Sequence, residues 1–81
     1  MEDVAATVEL FGAACCPYTS ELREHLQWNG VAFVEYDVDA DDDARSRLKS
    51  LTGGLTSVPV LVENGRVTQI GWHGRSCAIG S

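Results

Sequence analysis

Basic residues are scarce in this chain: 6 Lys and Arg stand against 12 Asp and Glu among 81 residues, a formal net charge of -6. No basic stripe exists to displace phosphate counterions, which argues against a nucleic-acid partner. No apolar run approaches the ~20 residues of a membrane span, so no membrane partner is expected. The start, Met1-Glu2-Asp3, has no basic segment ahead of an apolar stretch. That argues against a signal peptide and points to a cytoplasmic protein. Internal repeats and low-complexity segments are missing. The length allows one domain, here expected to be monomeric. The apolar share of 44% is too high for a disordered chain.

Cysteine is also sparse, and this scarcity is the most informative. The three present, Cys15, Cys16 and Cys77, are odd in number and too few for a disulfide-stapled secreted miniprotein. In a reducing compartment such cysteines are more often reactive or metal-binding than structural.

Residues 7–11 read as a strand, followed by a turn of small residues, Gly12-Ala13-Ala14-Cys15-Cys16. Pro17 fits the first position of a helix, where its missing N–H costs nothing. Tyr18, Leu22 and Leu26 recur at helical spacing, and Asn29-Gly30 supplies a stop. Residues 31–38 are apolar, β-branched and aromatic, as in a second strand. Asp41 is a suitable N-cap for a second helix with Ala44, Leu48 and Leu51 inward. Arg45, Arg47 and Lys49 lie outward or toward its end, and Thr52-Gly53-Gly54 stops it. Residues 58–63 form a third strand, with Pro59 at its start. Asn64-Gly65 is a strong hairpin signal, and residues 66–72 return as a fourth strand. Residues 73–81 read as a short tail rich in glycine and serine. The order βαβαββ implies an α/β fold with a mixed four-stranded sheet covered by two helices.

Cys16 sits at the mouth of the first helix. A sulfur there meets unpartnered N–H groups and the positive end of the helix dipole, and both favour the thiolate that performs disulfide exchange. Thr19, three residues on, could hydrogen-bond that sulfur.

Phe11-Gly12-Ala13-Ala14-Cys15-Cys16-Pro17-Tyr18-Thr19, then Thr56-Ser57-Val58-Pro59, then Gly65 and Ile70-Gly71, resemble the glutaredoxin branch of the thioredoxin-like proteins. The run Cys16-Pro17-Tyr18-Thr19-Ser20-Glu21-Leu22-Arg23 and the tail from Gly71 to Cys77 are most similar to a glutaredoxin-like selenoprotein group, in which selenocysteine takes the place of Cys16. The resemblance implies a thioredoxin-like fold and a disulfide oxidoreductase linked to glutathione or a thioredoxin-type system. It implies that Cys16 is the nucleophile and that no cofactor is bound, with glutathione as a possible co-substrate. The partner is then glutathione or a disulfide-containing protein. It implies further that Pro59 is cis, that the Val58 backbone pairs with an incoming peptide, and that Pro17, Tyr18 and Gly71 border the site. The chain departs from the family at Thr19, where a second cysteine is usual, and at Ala13, where many members have lysine. The hairpin strands are also longer, and no third helix follows. Arg75 is a substitute partner for a substrate carboxylate. The resolving thiol is Cys77 or Cys15. Strain in a vicinal disulfide favours Cys77, and both remain open.

Other readings compete. Cys77 could be an unpaired tail thiol. Cys15, Cys16, His73 and Cys77 could hold zinc, though in no standard spacing. A shared iron–sulfur cluster is disfavoured by Pro17 and Tyr18, and a peroxidase would oxidise Cys16 to a sulfenic acid. Residues 37–48 imitate a calcium loop but lack its glycine and glutamate, so they read as a solvated helix start. His25 reads as a surface or boundary residue, and Trp28 and Trp72 read as packing residues. Glu9 is odd inside a strand and calls for an edge or a partner.

Overall fold

The computed structural model describes residues 7–79. The acidic start Met1-Glu2-Asp3 and the final Gly80-Ser81 lie outside them. In chain order the elements are β1 (Val8–Gly12), α1 (Pro17–Trp28), β2 (Val34–Asp37), α2 (Asp42–Thr52), β3 (Ser57–Val58), β4 (Val60–Glu63), β5 (Arg66–Ile70) and β6 (Cys77–Ala78). The main sheet runs β2-β1-β4-β5. In it β1 and β2 are parallel, while β4 is antiparallel to both its neighbours. This is the mixed four-stranded sheet with two helices that the chain order implies.

The pleat assigns each helix its own face. Leu10 and Leu61 pack with Leu22 and Leu26 of α1. Phe11, Val60 and Val62 pack with Ala44 and Leu48 of α2. Alternate strand residues face opposite sides, so β1 and β4, covered on both, are nearly continuous apolar runs. Asp41 caps α2, its carboxylate accepting from Asp43 N at 3.0 Å and Ala44 N at 3.2 Å. Gly53 closes the helix in the left-handed region, at φ 74°. Asn64 and Gly65 both take positive φ, the combination that a tight β4–β5 hairpin demands.

Several boundaries differ from the sequence reading. The second strand begins at Val34, not at residue 31. The expected third strand is divided at Pro59, which lies between β3 and β4 rather than at a strand start. A proline has no N–H to give to a ladder. The fourth strand ends at Ile70 rather than at residue 72, and the stretch read as a short tail contains a turn followed by β6. Trp28 is 89% exposed and is not a packing residue. Trp72 does pack, partly buried, against the Leu10 cluster.

Arg47, expected outward or toward the end of the helix, reaches from α2 to Glu9 of β1. Its guanidinium donates to Glu9 Oε2 at 2.9 Å and Oε1 at 3.1 Å, and Tyr36 Oη donates to Oε2 at 3.2 Å. The same guanidinium lies 5.4 Å from the Phe11 ring centroid. This is the partner that Glu9 requires, and it ties α2 to β1 and β2. The hydrogen bond from Arg47 holds the Glu9 carboxyl below its ordinary value of 4.5, against burial that pushes it up. A carboxyl lowered on folding contributes stability above its unfolded pKa, and loses it as pH falls through the folded one. Arg47→Met should therefore cost about 2 kcal/mol at neutral pH, tempered by the half-exposed arginine. The difference from wild type should narrow as the pH is taken from neutral down through 4.5, the ordinary value, and then through the lowered one of the folded Glu9 carboxyl. Urea unfolding across that range checks this, and a gap independent of pH would count against it.

Candidate active site

The site forms where the first turn of α1 meets the cut between β3 and β4. Gly12 ends β1 without a side chain, and a Cβ there would lie 2.8 Å from Thr19 Oγ1. This absence lets α1 press its first turn onto the sheet. Thr19 is fully buried, and its hydroxyl accepts from Ala13 N at 3.4 Å. The hydroxyl thus fastens the turn before the helix; no bond from it to the sulfur is seen. Cys16 takes the N-cap position with extended backbone, and Pro17 follows at the first helical position. The first intrahelical bond runs from Ser20 N to Cys16 O at 3.3 Å. Tyr18 and Thr19 therefore carry N–H groups with no partner inside the helix, at the positive end of its dipole.

Cys16 is 1% exposed and packs in the cluster with Phe11, Val58 and Val60. Its sulfur is bonded to that of Cys77, with the Cα atoms 6.0 Å apart and a sequence separation of 61. It also lies 4.0 Å from Val58 O. The Val58–Pro59 bond is cis. Pro59 O accepts from Gly71 N at 2.7 Å, which sets the chain leaving β5 against the site. Tyr18 is half-buried against the Cys16 cluster. Cys15 is exposed and carries a free thiol.

Cys77 is delivered by a second tight turn that sequence reasoning missed. Trp72 and Arg75 exchange backbone bonds of 2.7 and 3.0 Å. Between them His73 (φ 52°) and Gly74 (φ 75°) both take left-handed backbone. The signal was faint, because histidine is a less usual partner for glycine in such a turn than asparagine. Gly71 precedes it at φ 83°, where a Cβ would lie 2.8 Å from Arg75 O. The turn folds residues 77–79 back along β3, with Val58 opposite Cys77 and Ile79 N donating to Thr56 O at 2.8 Å. Ile79, 7% exposed, was also missed. Its only trace was the short apolar run Cys77-Ala78-Ile79. The structure thus gathers Cys16, Pro17, Tyr18, Thr19, Val58, Pro59, Gly71 and Cys77. Arg75 contributes its backbone to the turn and leaves its side chain exposed. Among the described residues, no three His, Cys, Asp or Glu side chains gather as for a metal ion.

The family model for glutaredoxin matches residues 8–68, from β1 into β5. The chain belongs to the glutaredoxin family. A probable glutaredoxin of Synechocystis, slr1562, is 33% identical over 63 residues, or 78% of this chain and 58% of that protein. A second from the same organism, ssr2061, is 32% identical over 69% of this chain and 64% of that protein. The chain thus spans about three-fifths of the length of these relatives. Among solved structures, a mutant of the thioredoxin-like protein BC3987 superposes with TM-score 0.73 at 33% identity, covering 82% of each chain. The glutaredoxin of Archaeoglobus fulgidus gives 0.68 at 25% identity, covering 82% of this chain and 75% of that one. The glutaredoxin match stops short of the 72–75 turn and β6, so the element carrying Cys77 lies outside the matched stretch.

The two turn glycines provide a graded test. Gly74→Ala meets no atom within 4 Å and bears only the cost of left-handed backbone, about 1–2 kcal/mol. Gly71→Ala adds the clash with Arg75 O and should cost more, about 2–4 kcal/mol. Urea midpoints of the two variants check the order, and equal losses would contradict the close approach at Gly71.

Proposed function

We propose that the chain is a thiol–disulfide oxidoreductase in which Cys16 is the attacking sulfur and Cys77 the resolving one. The observation that carries this reading is the placement of both sulfurs together at the N-terminus of α1. With the disulfide reduced, the unpartnered N–H groups and the dipole of the helix favour Cys16 as thiolate, the nucleophilic form. The thiolate attacks one sulfur of a substrate disulfide, forming a mixed disulfide and releasing a substrate thiolate that takes a proton from solvent. The Cys77 thiolate then attacks Cys16 Sγ. The second substrate thiol leaves, and the Cys16–Cys77 disulfide remains. Two thiols of glutathione, or a dithiol of thioredoxin type, return it to the reduced form and leave as a disulfide.

The remaining residues have supporting roles in this reading. Pro17 starts the helix without competing for the sulfur, and Thr19 fixes the preceding turn. Tyr18, Pro59 and Gly71 shape the surround, while the Val58 backbone is the pairing edge. Arg75 offers a cation to a glutathione carboxylate, in the absence of a lysine at Ala13. The likeness of residues 16–23 to selenoproteins supports reading position 16 as the chalcogen nucleophile.

Cys16→Ser should reduce turnover of bis-hydroxyethyl disulfide to the uncatalysed background, followed by oxidation of a coupled reductant. Cys77→Ser should retain the first step and accumulate one substrate adduct on Cys16, visible in the intact mass. Retained activity in Cys16→Ser overturns the assignment. An adduct-free Cys77→Ser protein that still turns over assigns resolution to another thiol, and loss of that turnover in Cys15→Ser/Cys77→Ser names Cys15, whereas its survival names glutathione.

A further inference from the structure

The free side of β3 next to the reactive sulfur is filled by the chain's own residues. Cys77 lies opposite Val58 and Ala78 opposite Ser57, in antiparallel register. Ile79 extends the pairing through its bond to Thr56 O. A short extended segment adds to a strand by backbone bonds while its cysteine bonds to Cys16, which is how a peptide substrate would be held in a mixed disulfide. β6 therefore occupies the place of a substrate.

Its non-covalent hold is slight. β6 has two paired residues, and residues 73–76 and Ala78 are exposed. Ile79 is the buried apolar side chain that anchors it. A ladder this short is marginal without other ties. Yet while it is in place Cys16 is 1% and Val58 0% exposed, so a protein disulfide has no access to the sulfur.

We infer that β6 is a displaceable internal strand, held on β3 by the Cys16–Cys77 disulfide and released by its reduction, so that an extended cysteine-bearing peptide segment can take the same edge. This rests on the oxidoreductase reading. In the release step a dithiol supplies two electrons and two protons and leaves as a disulfide. The Cys16–Cys77 bond breaks and both sulfurs become thiols, Cys16 then losing its proton to solvent. The incoming cysteine takes the position opposite Val58 that Cys77 held. The register also sets a preference. Alternate strand residues face one side, so an apolar residue two positions after the substrate cysteine would fill the seat of Ile79.

Amide hydrogen exchange on the full chain tests this, in the oxidised protein and after reduction with a phosphine, which takes oxygen from water and leaves no mixed disulfide. In the reduced protein the amides of residues 77–79 should exchange at least about tenfold faster than in the oxidised one, close to the rate of an unstructured chain, while those of β1 and β4 stay protected. Equal protection in the two states overturns the inference. In a second arm, iodoacetamide capture of Cys16 in the reduced protein is followed by peptide mass. Ile79→Ser, which removes the anchor of β6, should change capture by less than about twofold because reduction has already released the strand, and capture at least about tenfold faster in the variant overturns the inference. Neither readout is disulfide reduction. An inactive protein that still releases β6 would refute the functional reading, whereas an active one that keeps β6 protected would refute the release.

Discussion

The approach of α1 to the end of β1 determines where the sulfur of Cys16 can be. Gly12 leaves room for Thr19, the Thr19 hydroxyl takes the Ala13 N–H, and Pro17 starts the helix one residue after the cysteine. A bulkier residue at position 12 would lift the first turn, and with it the sulfur, away from Val58. The positive helix end, the buried position of Cys16 and its reach to Cys77 all follow from this contact. The remainder of the fold holds it in place: α1 is seated by Leu22 and Leu26, and the strand beneath is braced from the other face by Arg47 and Glu9.

The second half of the chain brings the complementary surface. Pro59 separates β3 from β4, so the two short strands serve different neighbours. β4 joins the main sheet, whereas β3 pairs with β6 in a small sheet of its own. The Gly71 N–H, bound to Pro59 O, then fixes the point from which the 72–75 turn departs. The turn reverses the chain and returns Cys77 to the first helix. Local backbone preferences at two glycines thereby decide a contact between sulfurs that lie far apart in sequence.

Much of this was legible in the residues because it is local. The cap at Asp41, the stop at Gly53, the hairpin at Asn64-Gly65 and the helix start at Pro17 each depend on a few neighbours. The split at Pro59 was less legible, since a proline beside an apolar run suits a strand start equally well. The extra strand β6 left little trace, because two residues cannot establish a period. Glu9 shows the same limit in another form. Its unsuitability for a strand interior was evident, but its partner lies 38 residues away, and nothing local points to Arg47 rather than to Arg45 or Lys49. Trp28 misled for the converse reason: its size suggests burial, yet it ends a helix whose apolar stripe runs through Leu22 and Leu26.

The disulfide also changes what kind of polymer the molecule is. A link across a sequence separation of 61 closes residues 16–77 into a covalent ring. Forbidding the unfolded ring its open forms is worth about 4 kcal/mol by chain entropy, a large share of the margin on which a domain this small survives. If that bond opens and closes with each turnover, resistance to unfolding rises and falls in step. The oxidised form would be the more durable of the two, and the reduced form the one more exposed to heat and proteases.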